Sequence, residues 1–327
     1  MTFTRKLGRS GIEVSALGMG CWAIGGPFFE KGTPLGWGEV DDNESIRAVH
    51  RAMELGVNFF DTANVYGAGH SERVLAKAFA GRRQEVVIAT KFNAVFDEQT
   101  REVTGSDSTP AGIRKACEES LQRLDTDYID LYQFHDNGFP AEKAEPVRET
   151  LEKLVKEGKL RAYGWSTDFA DRAEVFAQGK NCTSIQLQLN VLDDNTEVIA
   201  LCEKYNLAAI NRGPLAMGLL SGKYTASSKP SIDDVRGEKS PEWMKYFKDG
   251  KPSSEWMKKR EAVQEILKSR GRTLAQGALA WLWARSEQTL PIPGFRTVAQ
   301  VEENCGAMQF GALTVEQMNE IETLSKR

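Results

Sequence analysis

The chain is poor in several residue types and patterns, and each shortage argues against a class of protein. Its five cysteines are scattered and form no CxxC pair, which is typical of reduced thiols rather than of a disulfide framework. Its three histidines show no ligand spacing with each other or with cysteine, so we expect no metal site. No apolar run reaches the ~18 residues of a membrane span, and the first residues show no apolar signal segment. We therefore expect a cytoplasmic protein without membrane contact.

Positive charge is also in short supply. The 42 lysines and arginines are outnumbered by 46 aspartates and glutamates, which gives a net charge of −4. Nucleic acids and anionic membranes require a basic stripe, so neither is expected as a partner. A small molecule that carries phosphate needs only one or two local cations, and the charge balance is compatible with such a ligand.

Eight short apolar runs recur along the chain, with helical patterns between them. Runs that are apolar at nearly every position suit strands buried on both faces of a parallel sheet. The pattern predicts an α/β fold, a (β/α)8 TIM barrel, as a single domain over residues 1–327. A doubly wound open sheet is the alternative that the periodicity leaves open. The runs are Leu17–Trp22, Phe59–Ala63, Val86–Phe92, Tyr128–His135, Leu160–Thr167, Ser184–Asn190, Ala208–Gly213 and Thr289–Phe295.

Two segments fall outside this alternation. Phe3–Leu7 and Ile12–Ser15 flank a Gly-Arg-Ser-Gly turn, which predicts an N-terminal β-hairpin. The polar segment Thr225–Pro252 follows the seventh run and predicts a long loop after strand 7. Barrels place their sites at these strand-to-helix connections, so the loop is interpreted either as a cover over the site or as a mobile insertion.

The stretch Gly18–Ala23 matches the pattern GxGxxA, which is a weak dinucleotide-binding motif. In such a turn the helix must begin inside the glycines, so that its N-terminus faces the pyrophosphate. Here Ile24–Pro27 follow, and no helical pattern starts before Asp41. We therefore reject a Rossmann interpretation and assign Gly18 and Gly20 to close packing at the mouth of the first strand.

Four polar side chains stand at or just after the carboxyl ends of consecutive predicted strands. Asp61 closes the second run, and Tyr66 follows in the loop. Lys91 lies near the end of the third run, and His135 closes the fourth. A barrel gathers such strand ends around one axis, so we expect these four side chains to meet.

The four residue types together favour proton transfer to an oxygen. A tyrosine, with an ordinary pKa of about 10, gives up its proton near neutral pH only if its phenolate is stabilised. A nearby ammonium lowers that pKa, so Lys91 is predicted to tune Tyr66, with Asp61 as the partner that a buried ammonium needs. His135 can then orient a carbonyl oxygen or share the proton. This arrangement suits hydride addition to a carbonyl, whereas a glycosidase needs paired carboxylates.

The segment Asp61–Glu72, which reads DTANVYGAGHSE, resembles the signature segment of aldo-keto reductases. The resemblance covers nearly the whole chain. It implies that Asp61, Tyr66, Lys91 and His135 form the catalytic tetrad, with Tyr66 as the general acid. The other matching segments are Leu17–Gly20, Thr90–Phe92, Gly164–Ser166, Pro214–Tyr224, Ile292–Arg296 and Glu303–Asn304.

The resemblance also implies that NADP is the cofactor, held extended at the barrel mouth without a Rossmann fold. Ser166 and Gln186 occupy the positions that bind the carboxamide, and Thr167 stands where the family often has Asn. Arg212 stands where the family often has a Tyr that stacks on the nicotinamide, and Arg296 matches a position at the 2′-phosphate. The implied cofactor-binding residues are Trp22, Ser166, Gln186, Arg212, Pro214, Leu215, Gly218, Leu219, Ser221, Lys223, Gly294, Arg296, Gln300 and Asn304.

The function that the resemblance implies is NADPH-dependent reduction of an aldehyde or ketone to an alcohol. We expect a monomer whose partner is a small-molecule carbonyl substrate. Some proteins that resemble this family are regulatory subunits of membrane channels and use the cofactor site as a redox sensor. That role is the alternative function.

Overall fold

A parallel sheet of eight strands forms the centre of the computed structural model, which describes residues 3–325. Each strand pairs with the strand that follows it in chain order. All of these pairings are parallel, as expected when a helix returns the chain to the same end of the sheet each time. The strands are β1 (Met19–Gly20), β2 (Phe59–Asp61), β3 (Val87–Phe92), β4 (Ile129–Phe134), β5 (Leu160–Ser166), β6 (Cys182–Gln188), β7 (Ala208–Arg212) and β8 (Thr289–Pro291).

The two ends of this sheet meet and close it into a barrel. The backbone N–H of Gly18 donates to the carbonyl of Pro291 at 2.9 Å, and that of Gly20 donates to Pro293 at 3.0 Å. Gly20 also forms a parallel bridge with Gly294. The predicted (β/α)8 barrel is therefore confirmed, and the open doubly wound sheet is wrong. The predicted extent of 1–327 includes residues 1, 2, 326 and 327, which lie outside the described residues, and it stays a prediction.

Helices follow the strands and begin at the caps that the sequence provides. The Asp41 side chain accepts from the backbone N–H groups of Asn43 and Glu44, and the Thr109 side chain accepts from Gly112. No helix in residues 3–325 is long and apolar enough to cross a membrane. The helices are α1 (Asp42–Glu54), α2 (His70–Ala78), α3 (Pro110–Leu124), α4 (Glu145–Lys156), α5 (Ala170–Ala177), α6 (Thr196–Tyr205), α7 (Ser254–Lys268), α8 (Leu274–Arg285), α9 (Val298–Gly306) and α10 (Val315–Ser325).

Side chains that alternate along each strand separate the barrel interior from the helical layer. The residues at the starts of the strands form one apolar cluster, which includes Phe59, Val87 and Leu131. The predicted N-terminal hairpin, Thr4–Lys6 paired with Glu13–Ser15, is present. Val14 in its second strand and Leu7, just after its first, join this cluster. The end of the barrel at the strand starts is therefore apolar and filled, which leaves polar side chains to the opposite end.

The long segment after β7, Thr225–Pro252, is folded onto the barrel. Val235 and Phe247 are fully buried within it. The Val235 N–H donates to Gly36 O at 2.8 Å, and Asp234 forms an antiparallel bridge with Trp37, so the segment contacts the loop after β1. This packing matches the interpretation as a cover rather than as a loose insertion.

The glycines of the GxGxxA stretch serve the barrel seam, as the sequence predicts. A Cβ on Gly18 would lie 2.5 Å from Phe59 Cδ1, and one on Gly20 would lie 2.7 Å from Ile292 O. The stretch leads into a short 3-10 turn, Ala23–Gly25, and not into an α-helix. It therefore has none of the geometry of a Rossmann turn.

We predict that Gly20→Ala destabilises the protein by about 1–3 kcal/mol, which is the usual cost of an added methyl group in a close-packed region. The new Cβ meets backbone, which cannot rotate away. Gly105→Ala is the matched control, because no heavy atom lies within 4 Å of its Cβ position. Urea unfolding followed by circular dichroism measures both midpoints. Equal midpoints for the two variants would contradict the prediction.

Candidate active site

The carboxyl ends of β2, β3 and β4 bring the four predicted side chains together. Lys91 Nζ donates to Asp61 Oδ1 at 2.6 Å and to the hydroxyl of Tyr66 at 3.2 Å. The His135 ring meets the Tyr66 ring edge-on, with centroids 6.0 Å apart. The convergence expected from the strand ends is therefore present in the structure.

Lys91 is fully buried and nevertheless charged. Burial disfavours its ammonium, but the charge of Asp61 and the hydroxyl of Tyr66 outweigh burial and raise the pKa of Lys91. Its third hydrogen bond goes to Thr62 O at 2.8 Å, so all three protons have an acceptor. A buried cation with this set of partners is held in one place.

The sequence predicts that Lys91 lowers the pKa of Tyr66, and the structure corrects the net result. Burial raises the pKa of Tyr66, and the charge of Lys91 offsets only part of this increase. The direct effect of Lys91 has the expected sign, but the net shift is upward because burial penalises the phenolate. Tyr66 therefore holds its proton at neutral pH and is available as a donor.

Within residues 3–325, and in contrast to Lys91, no acidic side chain forms an ion pair with His135. Burial lowers the pKa of His135 well below the ordinary value, and the neighbouring cations Lys91 and Arg212 lower it further. The imidazole is therefore neutral at neutral pH and has one N–H to donate. Such a ring can orient an oxygen beside the Tyr66 hydroxyl without competing as the acid.

Three of the predicted cofactor-binding residues lie beside the tetrad. Ser166 and Gln186 are paired neighbours on β5 and β6 and are both buried. Trp22 stacks on the Tyr66 ring with centroids 5.9 Å apart. Gln186 also donates to Asp61 Oδ2 at 2.7 Å, so it lies directly beside the tetrad. Binding of a carboxamide by Ser166 and Gln186 stays a prediction.

Arg212 ends β7 at the same mouth. It donates to Gln188 Oε1 at 3.2 Å and forms an ion pair with Asp168. Its charge reaches the tetrad, since it contributes to the lowered pKa of His135. The guanidinium is therefore paired with a carboxylate near the tetrad, and its contact with a nicotinamide stays a prediction.

The loop after β7 has a strained backbone. Ala216 and Met217 have φ of 48° and 55°, and Gly218 follows with φ of 91°. Non-glycine residues in this region are costly and gather at ligand clamps and active sites. The Ser221 hydroxyl donates to Gly218 O at 2.7 Å and braces the turn. The predicted residues Pro214, Leu215, Gly218, Leu219, Ser221 and Lys223 all lie on this loop.

Three cations gather beyond this loop. Partial burial lowers the pKa of Lys223, and the positive charges of Arg236 and Arg296 lower it further. Arg236 donates to Met217 O at 3.1 Å and lies 4.3 Å from the centroid of the Trp37 ring. Arg236 is also paired with Asp234, which offsets part of this charge. The remaining positive charge beside the strained loop makes this a suitable place for an anion.

Arg296, the third of these cations, is held by backbone carbonyls and lies beside three other predicted residues. Arg296 Nη1 donates to Trp37 O at 2.9 Å, and Nη2 bonds to Glu39 O. Gln300 Oε1 accepts from the Arg296 backbone N–H at 2.7 Å, and Asn304 Nδ2 donates to Gly294 O at 3.4 Å. These two hydrogen bonds thus tie the predicted residues 294 and 296, which precede α9, to the predicted residues 300 and 304 within it.

Comparison with known proteins identifies the family. A model of the aldo/keto reductase family matches residues 16–326. The chain belongs to this family. A probable aldo-keto reductase of Glycine max is 32% identical over 309 residues, which span 93% of this chain and 83% of that protein.

Solved structures agree in fold with this aldo/keto reductase. A glycerol dehydrogenase from Gluconobacter oxydans is similar with a TM-score of 0.81 and 29% identity, covering 98% of this chain and 94% of that chain. An aldo/keto reductase from Klebsiella pneumoniae, in complex with NADP and acetate, is similar with a TM-score of 0.72 and 24% identity. That match covers 99% of this chain and 96% of that chain.

Two residues of this aldo/keto reductase site were missed from the sequence. Gln133 donates to Asp61 Oδ2 at 2.9 Å, and Arg236 joins the cation group next to Lys223. The signal for Gln133 is a polar residue two positions before His135 and two after Leu131, hence on the same face of β4 as both. Arg236 lies in the irregular segment after β7, where no periodicity indicates its direction.

Other reactive groups of the reductase give no second chemistry at this site. Cys21 is fully buried, and burial raises the pKa of its thiol, so it is a poor nucleophile. Among residues 3–325, no three His, Cys, Asp or Glu side chains are grouped so that they could hold a metal ion. The tetrad and its neighbours are therefore the groups from which the chemistry is derived.

We predict that His135 does not take up a proton between about pH 8 and about pH 5.5, a range in which an ordinary imidazole, with a pKa near 6.5, does. The reason is its burial beside Lys91 and Arg212. Histidine-labelled NMR spectra over this range give the measurement, and His135→Gln identifies the resonance. A shift of that resonance with a midpoint near 6.5 would show that the ring is solvated and that this electrostatic account is wrong.

Proposed function

We propose that this protein reduces an aldehyde or ketone to an alcohol with NADPH. The observation that carries the proposal is the contact of one buried ammonium, Lys91, with both Asp61 and the Tyr66 hydroxyl. Such a contact prepares a tyrosine to give its proton to an oxygen on which negative charge develops. Membership of the aldo/keto reductase family supports the same reaction class.

The three cations Lys223, Arg236 and Arg296 would suit a dinucleotide phosphate. Burial lowers the pKa of Lys223, and the charges of Arg236 and Arg296 add to this effect, so a pyrophosphate or 2′-phosphate beside Lys223 would stabilise its ammonium. Ser166 and Gln186 would hold the carboxamide, and Arg296 with Gln300 and Asn304 would hold the adenosine end. When bound, NADPH supplies the hydride. The Klebsiella protein crystallised with NADP has the same fold, which supports this assignment.

The residues of this chain then have separate tasks. The hydroxyl of Tyr66 passes its proton to the carbonyl oxygen, and the neutral ring of His135 donates an N–H to the same oxygen and orients it. Lys91 stabilises the phenolate that Tyr66 becomes, and Asp61 holds Lys91 in place. The proton donor and the stabilising charge are thus on different side chains, so Lys91 stays charged throughout.

The substrate side of the mouth is aromatic. Trp22 lies 6.3 Å, between ring centroids, from Trp243 of the covering segment, and Trp243 is 56% exposed. These two rings offer apolar surface to the group attached to the carbonyl carbon. The alternative function, a regulatory subunit of a membrane channel, gains no support from the relatives named above.

We predict that Tyr66→Phe lowers the rate of carbonyl reduction by ~10²–10⁴-fold, the usual effect of losing a general acid. The ring still packs on Trp22, so NADPH binding should remain nearly unchanged. NADPH oxidation followed at 340 nm with a generic aldehyde gives the rate, and fluorescence titration gives the affinity. Tyr205→Phe, a hydroxyl loss on α6 away from the site, is the control. Near-normal turnover of the Tyr66 variant would rule out the mechanism.

We predict that Arg296→Ala weakens NADPH binding by about 10–100-fold, the value of about 1.5–3 kcal/mol for a hydrogen bond to a charged group. NADH, which lacks the 2′-phosphate, should lose little. Arg114→Ala, at an exposed ion pair with Glu157, is the matched control. Fluorescence titration with both cofactors distinguishes loss of a contact to the 2′-phosphate from a general loss of cofactor binding. Equal losses for NADPH and NADH would mean that Arg296 only supports the loop carrying Trp37.

A further inference from the structure

The two oxygens of Asp61 have different partners. Oδ1 accepts from Lys91 Nζ at 2.6 Å. Oδ2 accepts from Gln133 Nε2 at 2.9 Å and from Gln186 Nε2 at 2.7 Å. All four side chains are at most 2% exposed, so water does not replace these contacts. The orientation of the carboxylate, and with it the place of Lys91, is therefore fixed by amide donors on the far side of the ion pair.

Gln133 is itself held in one orientation. Its side-chain oxygen accepts from Gln186 Nε2 at 3.1 Å, so its amide nitrogen must face Asp61. It projects from β4 into the barrel, in the layer between apolar Leu131 and the mouth residue His135. The hydrogen bonds of its side chain in residues 3–325 go to Asp61 and Gln186 alone.

The two glutamines are not equivalent once a cofactor is bound. Gln186 is the residue that the family resemblance assigns to the carboxamide. With the cofactor bound, its amide nitrogen has two protons for three acceptors, which are Asp61 Oδ2, Gln133 Oε1 and the carboxamide oxygen. Gln133 has no such second assignment. It is therefore the donor that stays on Asp61 when Gln186 turns to the cofactor.

We propose that Gln133 is a positioning residue of the tetrad, which holds Asp61 so that its Oδ1 stays on Lys91 and Lys91 stays against Tyr66. The proposal rests on the proposed function for its kinetic consequence. Once Gln186 has turned to the cofactor, loss of Gln133 leaves Asp61 Oδ2 with neither amide donor, so the carboxylate turns about its side-chain bonds and the ammonium loses its fixed distance to the Tyr66 hydroxyl. The contact at 3.2 Å between Lys91 and Tyr66 is thus set from β4, a strand that carries neither residue.

The first test does not depend on activity. In the wild type, the Lys91 ammonium is enclosed by three acceptors and should exchange its protons slowly, giving a sharp ¹⁵Nζ resonance that Lys91→Met identifies. Both proteins are measured with NADP⁺ bound, so that Gln186 faces the cofactor. Gln133→Met keeps the volume and removes the remaining donor to Asp61, and it should broaden or abolish that resonance. Leu131→Met is the matched control, a similar change on the same inward face in the apolar layer. An unchanged Lys91 resonance in Gln133→Met overturns the proposal.

The second test separates positioning from loss of structure. Gln133→Met should lower kcat by about 10–100-fold, as for one hydrogen bond to a charged group, with the KM for a generic aldehyde and the NADPH affinity within about twofold of wild type. Gln133→Glu should recover activity at low pH, where its protonated carboxyl donates to Asp61. It should lose activity as the pH rises and that proton leaves, whereas Gln133→Met stays low at every pH.

The outcomes distinguish this proposal from the proposed function. A wild type without NADPH-dependent carbonyl turnover would reject the function, while the Lys91 resonance still decides the role of Gln133. Two results in an active wild type would overturn the positioning role. One is that Gln133→Met worsens KM and NADPH affinity as much as it lowers kcat. The other is that the pH profile of Gln133→Glu activity runs parallel to that of the wild type.

Discussion

The ion pair between Lys91 and Asp61 is the interaction on which the rest of the site depends. A lone ammonium in a protein interior is very unfavourable, and removing one partner of a buried pair typically costs about 3–5 kcal/mol. The barrel accommodates the pair by dividing its interior into an apolar layer at the strand starts and a polar layer at the strand ends. Amide side chains donate hydrogen bonds to the second carboxylate oxygen of Asp61, and a backbone carbonyl accepts one from Lys91. Burial thus makes the charge effective, because nothing mobile screens it.

The same burial sorts three titratable groups into different states. Lys91 is charged because Asp61 faces it, His135 is neutral because burial and the neighbouring cations disfavour its charged form, and Tyr66 keeps its proton because burial exceeds the help from Lys91. A proton donor, a neutral orienting group and a permanent charge therefore stand side by side near neutral pH. Their division of labour comes from the neighbours of each group rather than from its residue type.

Much of this could be predicted from the sequence, and the exceptions have physical reasons. The eight apolar runs and the polar residues at their ends depend on local alternation and on barrel symmetry, which a sequence displays. The net direction of the Tyr66 pKa depends on how completely the ring is enclosed, which no local pattern records. The pairing of Arg212 with Asp168 joins the ends of two strands that are not neighbours in the sheet. Gln133 has a polar side chain in an apolar run, and its partners, Asp61 and Gln186, lie on other strands.

The glycine seam between β1 and β8 has a consequence for how the folded chain behaves among other proteins. An open parallel sheet presents unpaired backbone groups at its two outer strands, which can recruit strands from other chains. Here Gly18 and Gly20 let the first and last strands approach closely enough to exchange those hydrogen bonds with each other. The central sheet consequently offers no edge for aggregation, although its first strand has only two residues.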